Sequence, residues 1–193
     1  MIFIDGVGIG EQDYEYNPFF KYGFKIFNKI FKETPHKQNQ YIEKDGMYIF
    51  PSDARLGVEG LPQSGTGQVS IFCGMNAPKF VGKHFGPFPY STTIPIIKEQ
   101  NIFKTYKDLG RSAYFVNAYP KVFFDYLKSG KTRLSTTSLC CRLTGMKLNS
   151  VTELRQSKAL TAEITNERWN RKLKYQLKFI SPETAARRLL RIA

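Results

Sequence analysis

Two residues stand where chain geometry favours chemistry. Asp5 closes the apolar run Ile2-Phe3-Ile4 and is followed by Gly6, Gly8 and Gly10. That pattern predicts an acid at the carboxyl end of a buried strand, the place where open α/β sheets bind their ligands. A carboxylate there can ligate a hard cation or organise a phosphate site, and it can equally serve as a turn or helix-capping residue. Ser64 lies in Leu61-Pro62-Gln63-Ser64-Gly65-Thr66-Gly67-Gln68, ahead of Val69-Ser70-Ile71-Phe72-Cys73, which predicts a tight loop opening a helix just after the serine. A hydroxyl at a helix N-terminus has backbone N–H groups and the positive end of the dipole aimed at any phosphate it attacks. A metal ion would lower its pKa. Capping of the same helix by Ser64 or Thr66 is the competing reading.

Two glycine-rich motifs are set aside. Gly6-Val7-Gly8-Ile9-Gly10 is G-x-G-x-G rather than G-x-G-x-x-G, and its acid precedes the glycines instead of following by about twenty residues, so a dinucleotide fingerprint is not met. The Ser64 loop lacks the Gly-Lys-Ser/Thr ending that brings a lysine to nucleotide phosphates, which excludes Walker-type hydrolysis.

The elements that must position these residues follow from local signals. Residues 2–4 predict a strand. Asn17 to Lys32 repeats Phe and Ile at helical spacing behind an Asn17 cap and Pro18 at the first helical position, which predicts one helix packed on the sheet. Met47-Tyr48-Ile49-Phe50 predicts a short strand leading into the loop before Ser64. Past Gly86 the Pro-rich connector Gly86-Pro87-Phe88-Pro89 marks a lobe boundary near residue 88. Beyond it come a helix near Ile94 to Leu109, a strand in Arg111 to Pro120, and short helices at residues 121–130, 135–146 and 165–175. Ser181, Pro182 and Glu183 then give a strong start signal for a last helix. The first strand has no lead-in and the last helix no stop signal, so the expectation is that further chain completes the core.

Composition bounds the partners. The 193 residues are 41% hydrophobic and 15% aromatic, enough for a sizeable core, and 29 Lys and Arg against 16 acids give a net charge of +13. That balance favours anionic partners. The excess is spread along the chain with no block of five basic residues, and the aromatics fall at core spacings, which places nucleic acid well behind a phosphorylated small molecule. Cys73, Cys140 and Cys141 are odd in number, two of them adjacent, and read as reduced thiols. No apolar run spans a bilayer and no signal peptide is evident, so the expectation is a cytoplasmic protein without a membrane partner.

Three stretches, Phe3–Gly10 (FIDGVGIG), Gly60–Pro89 (GLPQSGTGQVSIFCGMNAPKFVGKHFGPFP) and Ala159–Trp169 (ALTAEITNERW), resemble the metalloenzyme family of the alkaline phosphatase superfamily, the group of cofactor-independent phosphoglycerate mutase and phosphopentomutase. The resemblance implies a three-layer α/β core with a mainly parallel sheet, helices on both faces and an inserted cap. Residues 1–88 would form the first half of that core, 89–178 the cap, and 179–193 the helix returning to an absent second half. It implies that Asp5 ligates one of two divalent metals (Mn, Mg or Zn), and that Ser64, bridging to that metal, is transiently phosphorylated, with Thr66 as the second candidate. Lys83, His84, Asn117 and Arg133 are candidates for substrate contacts. The family places a Gly-His pair after the nucleophile, where this chain has Gly67-Gln68, and its distal Asp-x-x-x-His and Asp-His pairs are missing, so the second metal site is not encoded. The expectation is a metal-dependent phosphomutase or phosphohydrolase that is inactive as an isolated portion and whose natural partner is the missing C-terminal half. The rival readings are a non-catalytic scaffold and a basic nucleic-acid-binding module.

Overall fold

Helices dominate the structure, a computed structural model that describes residues 1–193. The mainly parallel, three-layer α/β core expected from the sequence is not formed: the only sheet is a two-stranded antiparallel hairpin. The chain divides into two compact units, Met1–Ala54 and Arg55–Ala193.

In the first unit, residues 2–4 form no strand, and Met1, Ile2 and Ile4 are exposed. An apolar run becomes a strand only where neighbours take up its backbone groups and cover its faces. Here the two strands, β1 (Ile42–Lys44) and β2 (Met47–Ile49), pair with each other in the register Ile42 with Ile49 and Lys44 with Met47. Asp45 and Gly46 join them with φ of 51° and 75°, the left-handed pair that a two-residue hairpin turn requires and that Asp-Gly adopts readily. The single helix expected over residues 17–32 is two, α1 (Pro18–Lys21) and α2 (Lys25–Ile30). Asn17 caps α1 as expected, its side chain accepting the Phe19 N–H at 3.1 Å. Phe19, Phe24, Phe27 and Phe31 meet in edge-on and tilted contacts, yet Ile42 is the only apolar side chain of this unit that is buried, apart from Pro35.

The second unit holds α3 (Ser64–Cys73), α4 (Ala77–Val81), α5 (Ile94–Glu99), α6 (Ile102–Asp108), α7 (Lys121–Lys128), α8 (Thr136–Leu143), α9 (Val151–Arg155), α10 (Glu167–Leu173) and α11 (Pro182–Ile192). Val69, Phe72 and Cys73 of α3, Ala77 of α4, Ile97 of α5 and Cys140 of α8 close one core. Ala118, Leu154, Ala159, Trp169 and Leu177 form a second, and Leu160, Ile180 and Ala185 a third, against which Val116 and Leu189 pack. The helix expected over residues 94–109 breaks at Asn101. This buried side chain donates to the Ile97 carbonyl at 2.7 Å and accepts the N–H groups of Phe103 and Lys104, ending α5 and capping α6.

The strand expected in residues 111–120 is reduced to isolated bridges, Asn117 to Leu160 and Ala118 to Asn149. The backbone groups of the segment are already taken on both flanks: the Ala118 N–H donates to the Leu160 carbonyl and the Tyr119 N–H to the Asn149 carbonyl, both at 2.8 Å, and the Asn149 side chain donates to the Phe115 carbonyl at 2.7 Å. A third strand beside this segment would have to displace those bonds, and so no sheet grows from it. All three cysteines are free thiols, as their spacing predicts.

Candidate functional site

The N-terminus of α3 is built by contact with the segment Phe85–Tyr90. Gln63 is the N-cap, in extended geometry and with no side-chain cap bond, so Ser64 is the first helical residue and not the cap. Gly65 faces the Phe85 and Phe88 carbonyl oxygens so closely that a Cβ there would lie 2.5 Å from the first and nearer still to the second. Only a residue without a side chain lets the two backbones meet. The contact is fixed by the Thr66 N–H donating to the Phe85 carbonyl at 2.8 Å.

Thr66 is fully buried. Its hydroxyl accepts the Phe85 N–H at 3.2 Å and points at the Gln63 and Phe85 carbonyls, each at 3.4 Å. That hydroxyl stitches the helix start to the Phe85 segment and faces no solvent. Ser64, two residues earlier, is half-buried.

The same segment gathers the expected substrate-contact cations. Lys83 places its ammonium over the rings of Phe85 and Tyr90, at 6.0 and 5.7 Å from their centroids. Arg133 lies over Phe88 with its guanidinium carbon 4.6 Å from the ring centre. Both side chains are exposed, and aromatic faces of this kind hold a cation in place while leaving its donors available. His84 also lies here, its Nε2 bonded to the Val58 carbonyl at 3.2 Å. A carbonyl only accepts, so Nε2 carries the proton and the ring holds the loop before Ser64 against the segment after α4. Asn117 is elsewhere in this unit, at the bridge to Leu160. The structure thus brings Ser64, Lys83, His84 and Arg133 around one segment and leaves Asn117 apart.

Asp5 belongs to the first unit, in an exposed turn. The glycines after it line an open hollow of about 540 Å³ together with Glu11, Asp13 and Asn17, in which Glu11 is paired with Lys37 at 2.8 Å and Asp13 accepts the Glu15 and Tyr16 N–H groups. The donor set bears on the two divalent ions implied by the resemblance. No three His, Cys, Asp or Glu side chains gather as a metal centre, whereas a catalytic zinc site takes three protein ligands. The residues of this chain do not by themselves fit the ions.

Sequence reasoning missed the role of Phe85 and Phe88. The Pro-rich connector was legible as a break, but nothing in its composition signals that its carbonyls meet Gly65. No family model matches this chain, and neither does any curated protein or solved structure. No helix is long and apolar enough to cross a membrane.

Proposed function

We propose that this chain acts in phosphoryl transfer on a phosphorylated small molecule, with Ser64 as the hydroxyl that accepts the phosphoryl group. The observation that carries the reading is the division of labour at the start of α3. Gln63 is the cap and Thr66 is buried in backbone hydrogen bonds, so Ser64 is the half-buried hydroxyl at the positive end of a ten-residue helix. Lys83 and Arg133, exposed on the aromatic rings of the adjoining segment, supply the charge that draws a phosphate monoester toward that end. His84 keeps the loop in place and acts as a positioning residue.

With no cluster of three metal-ligating side chains behind the serine, the expected signature is slow, stoichiometric labelling of Ser64 rather than rapid turnover. The test is incubation with a reactive phosphoryl donor such as acetyl phosphate, followed by peptide mass spectrometry. A phosphoryl group on Ser64, lost in Ser64→Ala and kept in Thr66→Ser, supports the reading. Labelling confined to other hydroxyls, or none, overturns it.

A further inference from the structure

The net charge of +13 is divided unequally between the two compact units. Residues 1–54 carry six basic and eight acidic side chains, a net of −2, and residues 55–193 carry twenty-three and eight, a net of +15. Within the second unit the excess is densest in residues 167–191, where Arg168, Arg171, Lys172, Lys174, Lys178, Arg187 and Arg191 are all exposed, against the acids Glu167 and Glu183. The ion pairs Lys104–Asp108, Lys121–Asp125 and Lys147–Glu153 lie outside this segment. The carboxylate nearest in sequence, Glu163, is spent on the N-terminus of α10, accepting the backbone N–H groups of Arg168 and Trp169 at 2.6 and 2.8 Å.

We infer that this C-terminal segment is a binding face for single-stranded nucleic acid. Arg168, Arg171 and Lys172 stand at i, i+3 and i+4 on α10, so they share one helix face, and Arg187 and Arg191 do the same on α11. The segment is anchored beneath its cations: Trp169 is buried against Tyr175, and Asn170 pins the connector between the helices by two bonds to Leu177, both of 2.7 Å. Phe179 is 58% exposed beside Lys178, an aromatic among cations that offers a base a stacking partner. Four of the seven cations are arginines, whose planar forks suit phosphate oxygens.

A lipid surface fits less well. Ala185 and Leu189 of α11 are already packed in a core with Leu160, Ile180 and Val116, and an interfacial helix needs that stripe free to enter the headgroup layer. A small phosphorylated metabolite would use one or two cations and leave the others uncompensated.

The experiment is fluorescence anisotropy of the full chain with a labelled single strand of about 20 nucleotides, as DNA and as RNA, with salt raised from about 50 to about 200 mM. Neutralising about four phosphates predicts an affinity loss on the order of 50-fold over that range. Arg168→Gln, Arg171→Gln, Arg187→Gln and Arg191→Gln combined should weaken binding by at least about tenfold. Lys79→Gln, Lys98→Gln, Lys128→Gln and Lys131→Gln combined remove the same charge elsewhere and should change it by no more than about twofold. Should the arginine variant lose its melting transition, Lys172→Gln with Lys178→Gln, both exposed, carries the test. Equal weakening by both charge sets, no binding at low salt, or tighter binding to phosphatidylserine vesicles than to the oligonucleotide would each overturn the inference. Ser64→Ala should bind the strand like the parent chain, which keeps this result separate from the phosphoryl-transfer reading.

Discussion

Glu153 shows how one carboxylate organises a helix start. It closes a capping box with Ser150, accepting that residue's N–H and hydroxyl at 2.7 and 2.8 Å, and it meets Lys147 at 2.7 Å. The lysine, then the two bonds from Ser150, push its carboxyl down to about 2. Because the folded-state value lies below the ordinary carboxylate range, the stability it contributes is present above that range and is lost as the pH falls from about 5 toward 2. Glu153→Gln should flatten the acid limb of a pH–stability curve over that window and cost about 1–2 kcal/mol at neutral pH, read by urea melts at several pH values. Cysteine behaviour is equally a matter of surroundings. Burial pushes Cys141 up to about 12, and the bond to Cys73 together with burial raises Cys140. Cys73 goes the other way, lowered by its bond to Cys140. Titration with a thiol reagent at mildly alkaline pH should therefore modify Cys73 first, leaving the other two thiols unreacted until the chain unfolds.

At the scale of elements, the meeting of α3 with the Phe85–Phe88 backbone is the joint on which the candidate site depends. Gly65→Ala inserts a methyl group into two carbonyls that cannot swing aside as a flexible side chain would. The expected cost is about 3 kcal/mol, seen as a lowered denaturation midpoint with an unchanged slope. Elements whose signals are local were legible in the sequence. Helix α11 begins where Ser181, Pro182 and Glu183 say it should, and its cap is real, with Ser181 accepting the Thr184 N–H at 3.3 Å. Its apolar stripe is partly covered, with Ala185 buried in the core that includes Leu160 and Ile180. The sheet was misread because strandhood depends on partners far along the chain. Ile2-Phe3-Ile4 has the right composition and no ladder to join, and the segment at Tyr114–Ala118 meets Asn149 and Leu160 only as bridges. Ser64, Lys83 and Arg133 could be singled out from residue type and motif alone. The carbonyls that crowd Gly65 could not, since close approach of two backbones leaves only a glycine as its trace.

For the molecule as a whole, the contrast between the two units sets where the structure opens first. Ile42 and Pro35 are the only buried apolar side chains in Met1–Ala54, while Arg55–Ala193 closes three separate cores. Protection from hydrogen exchange scales with such burial. Amides of the first unit should exchange at least about tenfold faster than those of α3, α8 and α11, as read by mass spectrometry of the intact chain. Limited trypsin digestion should cut early at Arg55, on the exposed stretch at the unit boundary, and release residues 56–193 as a fragment that still melts cooperatively. Uniform exchange across both units would show that the first is as firmly held as the second.

The junction at Phe85–Phe88 also separates two kinds of tolerance. Gly65 and Thr66, the residues that follow Ser64, are held through main-chain atoms of that segment, whereas Lys83 and Arg133 are steered by its rings. A combinatorial library randomising positions 85 and 88 would accordingly shift the two cations while the start of α3 keeps its place, so that the spacing of positive charge around the segment becomes adjustable without disturbing the helix.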